Sequence, residues 1–392
     1  MLKDHLEVQF NKIFQELKNA NEFIFRNPEL GLREFKARDI HCNLLEKYGF
    51  AVKKNICNIE TAFIGKITGK KEGPTIAFMA EYDALPEIGH GCGHNLLGVT
   101  SVGAAILLSE FIKENGGKLL VIGTPAEETD GAKVSMCKNR VFDDVDITMI
   151  VHPTSGNFHL RSTSSQAMEA LEFTFRGKTA HAAGAPHLGI NALDGVISLF
   201  NNINAMRQQI LESDRVHGII TNGGEAANII PDLAVANFYV RSRTKEELDV
   251  LLEKVINCAK GAAISSGTQL EIKNYETSFL NLVTNKRLMD LYEESLKEIG
   301  VLEMRDSESS GSTDAGDVSQ VCPTIHPYLP LYKKATGHSR EFADASICNG
   351  AYQGMKEAVL ALAITGQKII SNNKILIEIK NEFDEKVKKE II

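Results

Sequence analysis

The chain has 392 residues, 43% hydrophobic and 24% charged, the balance of an ordinary globular protein long enough for two domains. A formal net charge of -8 leaves no basic footprint for nucleic acid, and no uninterrupted apolar run approaches the roughly 18 residues of a membrane span. Seven cysteines, an odd number without disulfide-like spacing, suit a reducing compartment and a cytoplasmic protein.

In chain order, MLKDHLEVQFNKIFQELKNANEFIF is predicted to be an amphipathic helix. It carries acidic residues throughout and no small-residue cleavage site, unlike a signal peptide. From Pro74 strand-like and helix-like segments alternate. TIAFMA, KLLVIGTPAEE and DITMIVHP read as buried strands, and LLGVTSVGAAILLSEFIKENGG as a helix closed by glycine. Such alternation predicts an α/β fold with a mostly parallel sheet covered on both faces. The pattern changes near Gln166. MEALEFTFRGK, a helix, two strands around NGGEAANIIPD, a second helix and QLEIKNYE make β-α-β-β-α-β, a ferredoxin-like α+β unit. The first pattern then resumes. The predicted organisation is a catalytic domain from residues 1–166 and 279–392, with residues 167–278 inserted. The charged stretch NNKILIEIKNEFDEKVKKEII reads as a peripheral, solvated face.

Chemistry gathers where the strands end, as ligands do in parallel sheets. Glu81 and Asp83 follow the first strand, then Cys92 and His94 in GHGCGHNLLG. Glu127 and Glu128 follow the next strand, and His152 the one after. One histidine at a strand end is usually a satisfied loop residue; ligand-type residues at successive strand ends point to a metal site. Imidazole, carboxylate and one thiolate suit zinc or manganese, not calcium or magnesium. Cys92 and His94 flank one glycine, so an extended loop would turn both to one ion. The alternative for Cys92, a small buried apolar residue, fits poorly among glycines and histidines. In an extended PAEET, Glu127 and Glu128 would point opposite ways. One could then ligate while the other faces a metal-activated water as general base. His181 in GKTAHAAGAPHLG and His338 in GHSREFAD also stand out beside small residues. His5, His41, His159, His187, His217 and His326 are read as structural, with room for one exception.

The order AEYDALP, GCGHN, TPAEE, VHP, GKTAHAA, NIIPD, VRSR, GSTDAGDVS and GHSREFAD resembles the aminoacylase/carboxypeptidase family of di-metal peptidases, peptidase family M20, over residues 10–365. It is most similar to the amidohydrolase subfamily, and GSTDAGDVS to the aminobenzoyl-glutamate hydrolase and β-alanyl-lysine dipeptidase branch. The resemblance implies that Cys92, His94, Glu128, His152 and His338 bind two divalent ions, with Cys92 in the bridging place. It implies Glu127 as general base and Asp83 as the residue orienting a ligand. The inserted unit would be a lid and dimerisation domain, and His181 would reach the partner subunit's site to stabilise an oxyanion. Asn228 and Arg241 would bind the substrate and its carboxylate in a cleft between the domains; the alternative for an isolated strand arginine is a surface salt bridge. Two positions depart from the pattern: Glu81 stands where the wider family has a ligand histidine, and Asn95 where the subfamily often has Asp.

The implied activity is metal-dependent hydrolysis of an amide in an N-acyl amino acid, an aminobenzoyl-glutamate-like conjugate or a dipeptide. A catalytically inactive binding protein of the same fold is the alternative, since fold alone does not fix function. A zinc nucleobase deaminase would need His-x-Glu followed by Pro-Cys-x-x-Cys, which the sequence lacks.

Overall fold

A computed structural model describes residues 2–307 and 311–390. The chain forms two compact units. One comprises Met1–Ser164, Leu282–Ser309 and Asp314–Ile392; the other comprises Ser165–Asn281 with Ser310–Thr313. The second unit thus gathers a short return segment from far along the sequence, which no local pattern announces.

The first unit opens with helices α1 (Leu2–Arg26) and α2 (Phe35–Lys47), then strands β1 (Ala51–Ile56), β2 (Ile59–Thr68) and β3 (Thr75–Ala80). Helix α3 (His94–Asn115), strand β4 (Lys118–Gly123), helix α4 (Ala132–Lys138) and strands β5 (Ile147–Met149), β6 (His152–Thr154) and β7 (His159–Arg161) follow. TIAFMA is buried on both faces: Ile76, Phe78 and Ala80 enter one apolar core, and Ala77 and Met79 another. That two-sided burial explains why the strand is an unbroken apolar run. Helix α3 is long and apolar enough by composition to cross a bilayer, yet 89% of that window is buried inside the protein.

The second unit carries β8 (Ala167–Arg176), α5 (Ala192–Met206), β9 (Arg215–Asn222), β10 (Leu233–Ser242), α6 (Lys245–Ser266) and β11 (Gln269–Asn274). Its four strands lie in the order β11-β8-β10-β9, every ladder antiparallel. Alternate residues of β10, namely Ala234, Ala236, Phe238, Val240 and Ser242, are buried. The first four pack in one core with Val196 and Leu199 of α5 and Leu251 and Val255 of α6. The period of two therefore sends Tyr239 and Arg241 to the other, helix-free face.

Back in the first unit are α7 (Lys286–Glu298), β12 (Met304–Asp306), α8 (Ala315–Ser319), β13 (Thr324–Ile325), β14 (Tyr328–Pro330), α9 (Arg340–Ala345), α10 (Asn349–Ser371) and α11 (Asn373–Glu390). The main sheet runs β1-β2-β4-β3-β5-β13. The ladders β4/β3, β3/β5 and β5/β13 are parallel, with β1 and β2 added antiparallel at one edge. A smaller mixed sheet has the order β12-β7-β14-β6. The C-terminal stretch differs from its reading as a solvated face. Leu376 and Ile379 join the core, and Glu382 accepts hydrogen bonds from the amides of Lys286 and Arg287 at 2.7 Å, capping α7. Charge density hid this because only a narrow stripe of the helix is apolar.

Candidate metal centre

The carboxyl end of β3 leads into Glu81 and Asp83, both buried. Asp83 Oδ1 lies 2.9 Å from His94 Nδ1, and its Oδ2 accepts a hydrogen bond from the Glu128 amide at 3.0 Å. Nδ1 donates to Asp83, so Nε2 is the nitrogen left to ligate once a bound cation displaces its proton. His152 arrives differently but ends alike: its Nδ1 donates to its neighbour Pro153 O at 2.7 Å, leaving Nε2 free. The rings of His94 and His152 meet edge-on with centroids 5.4 Å apart. Glu81, His94 and His152 offer ligand atoms that all lie within 4.8 Å of one another.

A second group at the same spacing joins Cys92, Glu128 and His338, and a third joins His94, Glu127 and Glu128, linking the other two. Two local geometries differ from the extended segments expected of the sequence. Gly93 takes φ +77° at the start of α3, where a Cβ would come within 3.1 Å of Pro153 Cγ. Glycine there turns the chain between Cys92 and His94 without a clash. The PAEE segment is a tight turn, because Ala126 adopts φ +59° and its carbonyl accepts from Gly131 N at 2.7 Å. The turn brings both glutamates towards His94 instead of separating them. His338 is the most open of the set, its side chain 63% exposed and its Nε2 3.9 Å from Glu128 Oε2.

Electrostatics sharpen this picture. Burial pushes the Cys92 thiol well up, and the Glu128 and Glu127 carboxylates add to it. Only a cation at that place would draw the proton off. Burial also pushes the Glu127 carboxyl well above the usual carboxylate range, helped by Glu81, Glu128 and Asp314. That is the direction a proton-transferring carboxylate requires. Burial, with the charges of His94 and His326, holds His152 down to about 3, so it is neutral and able to ligate. His94 goes the other way: burial opposes its charge, but Asp83, Glu81 and Glu128 raise it well above its ordinary value. An imidazole so surrounded by carboxylates occupies a cation's place.

Sequence reasoning missed three buried residues around this cluster. Lys133 of α4 is fully buried, 2.7 Å from Glu81 Oε1 and 2.5 Å from Asp314 Oδ1. Burial raises the Glu81 carboxyl, but the Lys133 ammonium overrides it and brings Glu81 to about 2. Removing one member of such a triad costs about 3–5 kcal/mol, since a buried charge is left uncompensated. His326, read as structural, is buried and stacks on His152 at 5.6 Å. The one available signal was Glu81 itself: a carboxylate in place of a ligand histidine demands a cation nearby.

The remaining sequence candidates lie on the second unit. His181 and Asn228 are exposed, on neighbouring loops joined by the Ala182 amide donating to Asn228 O at 3.0 Å. His181 Nδ1 accepts from the Ala183 and Gly184 amides at 3.3 and 3.0 Å, which puts the ring proton on Nε2. Arg241 sits half-buried beside Tyr239 and donates to Ser312 Oγ at 3.1 Å, in the return segment.

The donor set fits divalent cations. Among the described residues, Glu128 Oε1 is buried with no hydrogen-bond partner, a condition costing about 1–3 kcal/mol that a bound cation would relieve, while His94 Nε2 faces Glu81 Oε2 at 3.3 Å. Thiol, imidazole and carboxylate together select a borderline transition ion. A parallel-sheet unit with such a cluster at its strand ends, carrying an inserted antiparallel unit, has the makings of a metallohydrolase. Comparison with known proteins agrees. The profile of Peptidase family M20/M25/M40 matches residues 77–355. The chain is 31% identical over 407 residues to the Xaa-Arg dipeptidase of Mus musculus, covering 100% of this chain and 94% of that one. It is 33% identical over 316 residues to a p-aminobenzoyl-glutamate hydrolase chain of Escherichia coli, covering 75% and 64%. Among solved structures, a dinuclear metal-binding peptidase of the M20 family from Bacillus subtilis aligns with a TM-score of 0.69 over 91% of this chain and 99% of that one; at 20% identity this speaks to fold. The chain belongs to peptidase family M20/M25/M40 and is a metal-dependent hydrolase of peptide and related amide bonds.

Proposed function

We propose that the protein hydrolyses the amide of a dipeptide or aminobenzoyl-glutamate-like conjugate, releasing an amino acid whose free carboxylate it recognises. The observation that carries this reading is the pair of ligand groups, Glu81–His94–His152 and Cys92–Glu128–His338, linked through His94, Glu127 and Glu128. Cys92, His94, Glu128, His152 and His338 would hold two divalent ions, zinc or manganese. Such ions, when bound, lower the pKa of a coordinated water and polarise the amide carbonyl.

The chain's own residues then divide the work. Glu127 takes the proton of the attacking water and returns it to the leaving nitrogen, which departs as the amine. Asp83 holds His94 in its ligating tautomer. His181, with its proton on Nε2, is a donor suited to the developing oxyanion. Arg241 offers a planar fork to the substrate carboxylate, and Asn228 an amide. The names of the relatives, a dipeptidase and an aminobenzoyl-glutamate hydrolase, favour these substrate classes.

We further propose a homodimer formed through the second unit. Strand β9 ends its sheet, and its Ile219 and Ile220 are 64% and 43% exposed. An unpaired apolar edge of this kind suits two-fold pairing. A thiolate ligand at Cys92 suits a reducing, cytoplasmic setting. The test is a panel of Xaa-Arg dipeptides, β-alanyl dipeptides, aminobenzoyl-glutamate and N-acyl amino acids offered to protein loaded with manganese or zinc. Turnover confined to one class with a free carboxylate supports the reading, and no hydrolysis of any member contradicts it.

A further inference from the structure

Glu34 occupies the residue just before α2, where an acidic side chain ordinarily accepts hydrogen bonds from the first helical amides. It does not do so. Glu29 takes that work instead, its Oε2 accepting from the amides of Lys36 at 2.8 Å and Ala37 at 3.1 Å. The Glu34 carboxylate, fully buried, turns inward across 92 positions of sequence and accepts from the Ala126 amide at 2.9 Å.

Ala126 is the residue before Glu127 and adopts φ +59°, a left-handed conformation that costs a non-glycine residue about 1 kcal/mol or more unless something holds it. Two residues on, the Glu128 amide is held by Asp83 Oδ2 at 3.0 Å. Glu127 is thus bracketed by two anchored amides, each tied to a buried carboxylate from another part of the fold. The preceding turn closes on the same place, since a Cβ at Gly31 would come within 3.0 Å of Ala126 Cβ.

We propose that Glu34 is a positioning residue for Glu127, fixing its carboxylate through the backbone amide of Ala126. The proposal rests on the reading of Glu127 as the proton-transferring group. Glutamine at position 34 keeps an oxygen able to accept from Ala126, whereas alanine leaves the amide orphaned. A displacement of about 1 Å at a reacting group costs on the order of 100-fold in rate.

The experiment compares wild type, Glu34→Gln and Glu34→Ala, each loaded with manganese, by kinetics on the best panel substrate, metal content, and amide hydrogen exchange of the peptide spanning 124–131. Glu34→Ala should lower kcat by roughly 10- to 100-fold with KM within about twofold and metal content unchanged, and should speed exchange at 126–128. Glu34→Gln should stay within about threefold of wild type by every measure. The proposal is overturned if Glu34→Ala keeps its kcat, if its loss follows lost metal, or if Glu34→Gln is as slow as Glu34→Ala. Exchange needs no turnover. A wild type inactive on all amides would defeat the proposed function, while unchanged exchange in Glu34→Ala would defeat this inference separately.

Discussion

The turn that carries Glu127 and the loop that carries His181 both follow strands, yet the protein holds them in opposite ways. Around Glu127 the amides on either side are tied to Glu34 and Asp83, and the side chains of Glu127 and Glu128 are largely enclosed. Around His181 the loop is exposed, and the ring accepts from two amides of its own turn. The difference is one of purpose. Groups that bind cations and move protons gain from fixed geometry and a dry, charged surrounding, which burial supplies to this cluster except at the open His338. Groups that meet a substrate or a partner need access, and loops on a rigid scaffold supply it.

On this contrast, changes in the buried set should cost most. Glu127→Gln should retain its metal and lose about 10³-fold or more in kcat, because an amide cannot accept the water's proton. Glu128→Gln should instead lose metal, so that added manganese partly restores it. Equal metal loss in both variants, measured by elemental analysis, would erase the division of roles. The residues of the second unit should cost less and show in a different measurement. His181→Ala should lower kcat by about 100-fold, the worth of a single oxyanion donor. Mixing His181→Ala with Glu127→Gln chains should restore part of the activity if His181 serves the partner subunit. No recovery in chains shown to exchange subunits would confine His181 to its own chain. Smallest of all, Arg241→Lys should reduce the preference for a free acid over its methyl ester by about tenfold, through loss of the bidentate pairing. Equal rates on acid and ester in the wild type would remove Arg241 from recognition.

Much of this was legible in the sequence, for reasons that can be named. The parallel strands show as short apolar runs because both their faces are buried, and their ends collect ligand residues because that is where parallel sheets open. The alternation along AVANFYVRSR gave the one-sided sheet of the second unit, and β-α-β-β-α-β its order. What stayed hidden was long-range and singular. Nothing local marks Lys133, which only the closed fold places between Glu81 and Asp314. Glu34 carries no mark of its inward turn, which shows only where Glu29 caps α2 in its stead. The PAEE segment reads as the extended end of a strand, because a left-handed alanine has no compositional mark. Asn95, a departure from the family pattern, proves to donate to both Asn21 and Ser346 at 2.8 and 2.9 Å, tying the start of α3 to α1 and to the end of α9.

We propose that amide hydrolysis needs two divalent ions, held by Cys92, His94, Glu128, His152 and His338. The most direct measurement strips the protein with a chelator, then titrates manganese or zinc back while recording bound metal per chain and hydrolysis of the best panel substrate, in wild type and Cys92→Ala. The expected result is an inactive stripped protein, activity that rises as about two ions bind per chain, and a Cys92→Ala variant that recovers little of either. Full activity in the metal-free protein, or in Cys92→Ala without bound metal, would contradict the account.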